Sequence, residues 1–341
     1  MNKEELINRW KTAEGKIKLK QVIECLETGT PNLLEAVLQR YCGRWDLRGA
    51  PLSKVKKERN IEVGGHSLVQ KIGTLKLKSV SLTSVDFSYA ELNYSWWEKC
   101  QISNCLFEET KAKEIRVIAS DFIDCIFKKA DLNCSYINEN IGSNSGSFKR
   151  VQFLETNLKE CLFYFPVIED CVFDNCNLEA TNFNGSRFGN CKFIGLVDSP
   201  WFKGYPVNVH KSLFGFFNRI NPKDFPNPMK NIDFSEAELI GVSFINGIDL
   251  SKCIFPNDPE KYVVVKNLHY VFSTAKRIVN ESWNEEDRRK GHNLIDNIYF
   301  SKDRQNQYMD LLDKNLLTED ENENGFGERF FKLIQTINAN Q

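Results

Sequence analysis

No apolar run of 18 residues occurs anywhere in the 341-residue chain, so no segment reads as a membrane span. Met1-Asn2-Lys3-Glu4-Glu5 opens on charge where a secretory leader needs an apolar core, and no leader is expected. Histidine is scarce, and His66, His210, His269 and His292 stand far apart, without the His-x-x-x-His pairing of a helical metal site. A phosphate-binding loop is missing too: Gly185-Ser186-Arg187-Phe188-Gly189 lacks the Gly-x-x-x-x-Gly-Lys spacing. The eleven cysteines include no Cys-x-x-Cys pair, which removes the common zinc and redox motifs. Excess charge of one sign is also lacking, with 45 basic against 46 acidic residues and a net charge of −1. Residues 1–71 carry +5, residues 72–255 carry −3 and residues 256–341 carry −3. These absences point away from enzymes and from cofactor or metal binding, and they leave nucleic acid a poor match as partner.

What the chain has instead is a period of five. Twenty-nine five-residue units each carry an apolar centre: Ile72, Leu77, Leu82, Phe87, Leu92, Trp97, Ile102, Phe107, Ala112, Val117, Phe122, Phe127, Leu132 and Ile137, then Phe148 to Phe193 in fives, then Phe234, Leu239, Phe244, Leu250 and Phe255. Five matches neither the 3.6 of a helix nor the 2 of a strand, so the chain must turn a corner once per unit and wind as a coil. Two residues before the centres sit mostly small side chains, among them Ala90, Cys105, Thr110, Ser120, Cys125, Ala130, Cys161, Cys176, Thr181 and Cys191. Large groups fill an axis, and small ones stand where the wall bends toward it. Ile115, Pro166, Ile232 and Ile248 break that rule and predict a bulged wall.

Units such as Ala130-Asp131-Leu132-Asn133-Cys134, Cys176-Asn177-Leu178-Glu179-Ala180 and Thr181-Asn182-Phe183-Asn184-Gly185 resemble the pentapeptide repeat family over roughly residues 70–255. The resemblance implies a mainly β protein, a right-handed quadrilateral β-helix with four units per coil. Twenty-nine units then make about seven coils, a rod on the order of 30 to 35 Å long at strand spacing. Fourteen of the 25 phenylalanines occupy centres and are placed to stack in one interior column.

Eight cysteines, Cys100, Cys105, Cys125, Cys161, Cys171, Cys176, Cys191 and Cys253, fall in the small-residue slot, where a thiol serves as a small buried hydrophobe. Free thiols in such number fit a reducing, cytoplasmic compartment. The flanks change period. Leu19, Val22, Ile23 and Leu26, then Leu34, Val37, Leu38 and Tyr41, predict two helices in a cap over 1–45. Trp45 to Leu52 reads as the start of the rod, which spans 46–255 with a charged excursion over 54–65, and Leu52 lies one coil before Ile72. Over 256–341 the spacing of Val264, Leu268, Val271, Ala275 and Ile278, of Leu294–Tyr299, of Tyr308–Leu312 and of Phe330, Leu333, Ile334 and Ile337 predicts helices.

Residues 197–231 interrupt the rod with Trp201, Phe202, Tyr205, Phe214, Phe216 and Phe217, either folded back on the wall or projecting as anchors for a partner. Phe330 and Phe331 head an apolar stripe that must be buried against a second copy, a partner or the preceding helices. The expectation is a non-enzymatic protein–protein interaction module whose candidate contact residues are these eight aromatics, with a homodimer through the C-terminal helices as one form. Some family members, the quinolone-resistance type, bind type II topoisomerases by mimicking duplex DNA. That alternative asks for continuous negative potential, which a nearly neutral rod does not supply. A regulatory or sensing partner of a neighbouring gene product is a further alternative.

Overall fold

The computed structural model describes residues 1–30, 33–63, 66–207, 221–304, 306–318 and 325–341. Its centre is a parallel coil with four faces. Three are sheets of hydrogen-bonded strands, each strand mostly three residues long, and the fourth is a column of single bridges, Pro51 to Glu91, Lys111, Asp131, Asn157 and Asn177 in turn. Register is kept face by face, so that Phe107 lies on Phe127, Val117 on Trp97 and Phe122 on Ile102. All of the 29 expected centres are buried except Ile72 and Phe255, which are partly exposed.

Aromatic packing runs along three faces instead of one column. One face carries eight consecutive phenylalanines, Phe87, Phe107, Phe127, Phe153, Phe173, Phe193, Phe234 and Phe255, with centroids 4.4 to 5.8 Å apart. A second carries Phe163, Phe183, Phe202 and Phe244, and a third stacks Phe122 on Phe148. A planar side chain on every level of a face is held at strand spacing, which is also a favourable distance for offset rings.

Corners are made by the residue two places after each centre. Its backbone is left-handed in nearly every unit: φ is 55° at Ser84, 62° at Tyr89, 54° at Lys99, 51° at Asn104, 53° at Lys129 and 50° at Glu155. Such values strain any residue with a Cβ, and β-branched residues most. No valine, isoleucine or threonine occupies a positive-φ position among the described residues. Small corner residues then close the next bond. Thr110, Thr156 and Thr181 hydroxyls donate at 2.8 Å to the carbonyls of Phe87, Phe127 and Leu158 in the coil before, and the Cys176 thiol donates to that of Phe153 at 3.2 Å.

Nine parallel levels on the longest face make eight turns, about 38 Å of rod at strand spacing. The extra turn comes from the interrupted stretch. Val197, Phe202 and Met229 are interior centres there, at 1%, 0% and 0% exposure. The unit ending at Val197 is one residue short, and the insertion between Phe202 and Met229 hides the period. Between Ile137 and Phe148 the apparent slip is a six-residue loop closed by the Ile141–Asn144 bridge. Ile115, Ile232 and Ile248 are buried, and Pro166 also lies inside, with the register continuing from Ile168 to Phe188. Bulges fall beside only some of the four, at Arg116–Ile118 and at Lys192–Ile194.

Ile72 is not a coil centre. Leu52 and Leu77 are consecutive coil centres, and an antiparallel hairpin, Val55–Val63 with His66–Gly73, stands between them and pairs Lys57 with Ile72. The excursion is therefore longer than 54–65. The N-terminal cap holds a first helix Lys3–Asn8 with an Asn2/Glu5 capping box, a long helix Ala13–Glu27 and a single turn Leu34–Val37. The expected second helix ends there because the chain turns extended at Leu38, and Arg40–Tyr41 pairs with Arg44–Asp46 across the left-handed pair Cys42–Gly43.

Past the rod, residues 262–339 form a second core around Val265, Val271, Phe272, Ile295, Phe330, Phe331 and Ile334. Helices span Leu268–Ser282, Glu285–Leu294 and Phe326–Ala339. Tyr262–Val265 and Asp310–Asp313 are strands of one antiparallel ribbon, so neither Val264 nor most of Tyr308–Leu312 is helical. Strand pairing wins over helical spacing because this ribbon closes the end of the rod. The Tyr262 hydroxyl takes the Leu239 N–H at 3.0 Å and donates to its carbonyl at 3.2 Å, and the Gln307 amide donates to Phe244 O at 3.0 Å.

Candidate interaction surfaces

Packing leaves the rod no interior room for a ligand of any size, so chemistry is confined to its walls, ends and excursions. The walls neutralise themselves. Lys111 pairs with Glu91, Lys128 with Glu108, Lys149 with Glu169 and Lys159 with Glu179, each across 20 residues and one coil, at 2.7 to 3.5 Å. Arg150 and Asp124 do the same across the six-residue loop at 2.7 Å. Exposed pairs of this kind add little stability. Their effect is on the field, since each of these acidic positions is answered by a base one level away.

Most of the thiols lie inside the coil. All eleven cysteines are free, and of the eight expected inside, only Cys253 is half-buried. Burial pushes Cys176 and Cys253 up to about 12 and, with Glu160 beside it, Cys134 up to about 11. A thiol so raised is almost wholly protonated at neutral pH and a poor nucleophile. Among the described residues no group of three His, Cys, Asp or Glu side chains is placed to hold a metal ion.

Of the eight aromatics expected to contact a partner, the five among the described residues do not form one surface. Phe202 is fully buried in the axis between Phe183 and Phe244, at 5.0 and 5.4 Å, so it is a core residue and not an anchor. Its neighbour Trp201 points outward at 43% exposure. Tyr205 is half-buried, and Phe214, Phe216 and Phe217 lie outside the described residues. Phe330 and Phe331, at 0% and 2% exposure, belong to the C-terminal core of the same chain. Their stripe folds back on its own region, which removes the exposed face behind the expectation of a homodimer through the C-terminal helices.

Both described ends of the insertion lie on the wall. The Asn184 side chain exchanges two hydrogen bonds with Val207, at 2.7 and 2.8 Å, and Asn227 accepts the Phe188 N–H at 3.0 Å in place of a backbone partner. Phe225 packs on Phe165 at 5.4 Å and under the Arg187 guanidinium. Gly185, at φ 65°, is needed here, because a Cβ would lie 2.2 Å from the Pro206 nitrogen. Burial lowers the Arg187 pKa and that of Lys203, the latter against the opposing pull of Asp303.

The hairpin at 55–73 is the excursion that stands clear. Residues 54–60 are all exposed, and the ribbon touches the rod where Lys71 sits over the Tyr94 ring at 5.4 Å. Between ribbon and wall runs a cleft of about 450 Å³ containing Val69, Gln70, Glu114, Cys134, Tyr136 and Glu160. The sequence signal for it is Gly64-Gly65 between two strand-like runs, a hairpin signature masked by the fit of Ile72 to the period of five.

Four faces, five-residue units with an apolar centre, a small inner corner and a left-handed outer corner give this chain the fold of the pentapeptide repeat proteins. Solved structures of that kind are similar to it. Rfr23, a pentapeptide repeat protein from the cyanobacterium Cyanothece 51142, is 12% identical over 31% of this chain and 82% of its own, with a TM-score of 0.28. HetL, a pentapeptide repeat protein involved in heterocyst differentiation regulation from Nostoc sp. strain PCC 7120, is 14% identical over 53% and 90%, at 0.24. QnrB1, a plasmid-mediated fluoroquinolone resistance protein, is 12% identical over 50% and 84%, at 0.25. Scores this low add nothing to what the coil itself shows. No family model and no curated protein matches the chain. Among the described residues no helix is long and apolar enough to cross a membrane.

Proposed function

We propose that the protein is a non-enzymatic interaction module, a rigid rod that binds another protein through the segments its coil carries. One observation supports this most: the coil keeps its register on both sides of two large inserted segments, the hairpin 55–73 and the segment between Phe202 and Met229. Insertions that leave a scaffold's register intact are where binding function concentrates. The free, buried thiols suit a reducing compartment such as the cytoplasm.

The rival reading, a DNA mimic that binds type II topoisomerase, needs an uninterrupted acidic surface. The ladders of Lys111–Glu91, Lys128–Glu108 and Lys159–Glu179 argue against it. Affinity purification of the tagged full chain from its native host, with reconstitution from purified components, tests the module. The expected result is a saturable, stoichiometric protein complex that deletion of the hairpin or Trp201→Ser weakens at least tenfold. Absence of any complex that survives reconstitution would overturn it.

A further inference from the structure

A β-helix begins with four unpaired strand edges, one per face, and on three of them another group meets the edge here. On the phenylalanine face, Arg40–Tyr41 covers Arg44–Asp46. The bridge face opens at Pro51, which has no N–H to leave unpaired. On the third face the Lys76 N–H donates to Glu27 Oε1 at 3.0 Å, beneath the helix Ala13–Glu27.

The fourth edge is open. Ser81–Thr83 ends the six-stranded sheet and has a single sheet neighbour, Gln101–Ser103. Bonds to that neighbour use the Val80 carbonyl, at 2.9 Å, and the Ser84 N–H, at 3.0 Å. In a strand the main-chain groups of alternate residues point to opposite sides, so those of Ser81 and Thr83 face away from the coil. Among the described residues nothing pairs with them there, and both residues are exposed. They border a groove of about 830 Å³ whose other wall sets Leu33, at 55% exposure, and Trp45 among Thr30, Glu35 and Arg40, the Arg40 guanidinium lying over the Trp45 ring at 3.9 Å.

We propose that this edge receives an extended segment of a partner protein, which adds to the six-stranded sheet as its missing first strand. The inference rests on the interaction-module reading and assigns it a docking surface. Two outward N–H and two outward C=O groups in strand register are matched by one thing, another extended backbone, and Leu33 and Trp45 supply the apolar shelf for its alternate side chains.

A phage-displayed library of random 12-residue peptides, selected on the full chain, tests the proposal. Selected peptides are expected to slow amide exchange at Ser81 and Thr83 and to bind Ser81→Pro at least tenfold more weakly. The proline removes a donor aimed into the groove and no main-chain bond to Gln101–Ser103, only the exposed Ser81 Oγ–Gln101 Oε1 hydrogen bond at 3.3 Å, so the melting temperature should hold; Leu33→Asp makes the same test from the opposite wall if the proline variant fails to fold. Failure to select any peptide, equal binding to wild type and both variants, exchange already slow at both amides in the free chain, or self-association through this edge seen by light scattering would each overturn it. A partner that stays bound to the Ser81→Pro protein would defeat this docking site and leave the module intact, whereas a wild-type chain without a partner would defeat the module itself.

Discussion

Lys99 makes its corner at φ 54° with an exposed side chain, and the same corner recurs about every five residues without valine, isoleucine or threonine. Lys99→Val therefore brings a β-branched side chain into the left-handed region at a cost of about 1–2 kcal/mol, while Lys99→Asn is neutral or slightly stabilising. The midpoint of urea unfolding reads both; equal midpoints for the two variants would deny that corner strain shapes the sequence. The same rule is legible in the amino-acid sequence alone. Thr74 follows Ile72 by two and would be the one threonine at such a corner, which marks Ile72 as lying off the coil. A different residue-scale effect sits in the cap, where burial pushes Asp46 up but hydrogen bonds from Arg9 and Arg48 outweigh it and hold the carboxyl well below the usual carboxylate range. A depressed folded pKa gives stability that is present above about pH 3.9 and lost as pH falls toward the folded value. Asp46→Asn should lower stability near neutrality by about 2 kcal/mol and flatten the acid limb of the stability–pH curve, measured by denaturant titration from pH 7 to pH 3. An unchanged acid limb would place the linkage elsewhere.

Elements differ in how openly the sequence declares them. Units of the rod are readable because each repeats one environment, with Phe173 meeting Phe153 below and Phe193 above. Interruptions are harder to read: Val197–Phe202 and Met229–Phe234 each keep the five, but Val197 follows Phe193 by four and Met229 follows Phe202 by 27, so neither pair joins the register of its neighbours. In the C-terminal region, Val264 and Tyr308–Leu312 match helical spacing, yet they end as a ribbon because the last coil has open main-chain groups to satisfy. Spacing within a segment carries no information about an edge supplied by another segment. Phe202 is misread for the same reason: an aromatic-rich stretch looks alike whether it fills an axis, as Phe202 does, or faces solvent, as Trp201 does. The capping role of Tyr262 gives an element-scale expectation. Tyr262→Phe keeps the ring and strands the Leu239 N–H and carbonyl, at about 1–3 kcal/mol, with faster amide exchange confined to the last coil. Exchange that rises evenly along the rod would contradict a local cap.

At the scale of the whole molecule, the coil tolerates insertions because each level is held by its neighbours. Leu52 and Leu77 are successive coil centres, and the Thr74 N–H already bonds to Lys54 O at 2.9 Å across the base of the hairpin. Joining Lys54 directly to Leu75 restores a five-residue unit, Leu52 to Leu77, with lysine at the left-handed corner where Lys99 and Lys129 also stand. The deletion of residues 55–74, followed by thermal unfolding and backbone amide exchange, is the most direct measurement. The expected result is a cooperative transition within a few degrees of the full chain and unchanged protection at the strands from Lys76 to Ile254, together with weakened partner binding. Loss of cooperative unfolding, or loss of protection spreading along the rod, would contradict a continuous coil carrying a separable interaction segment.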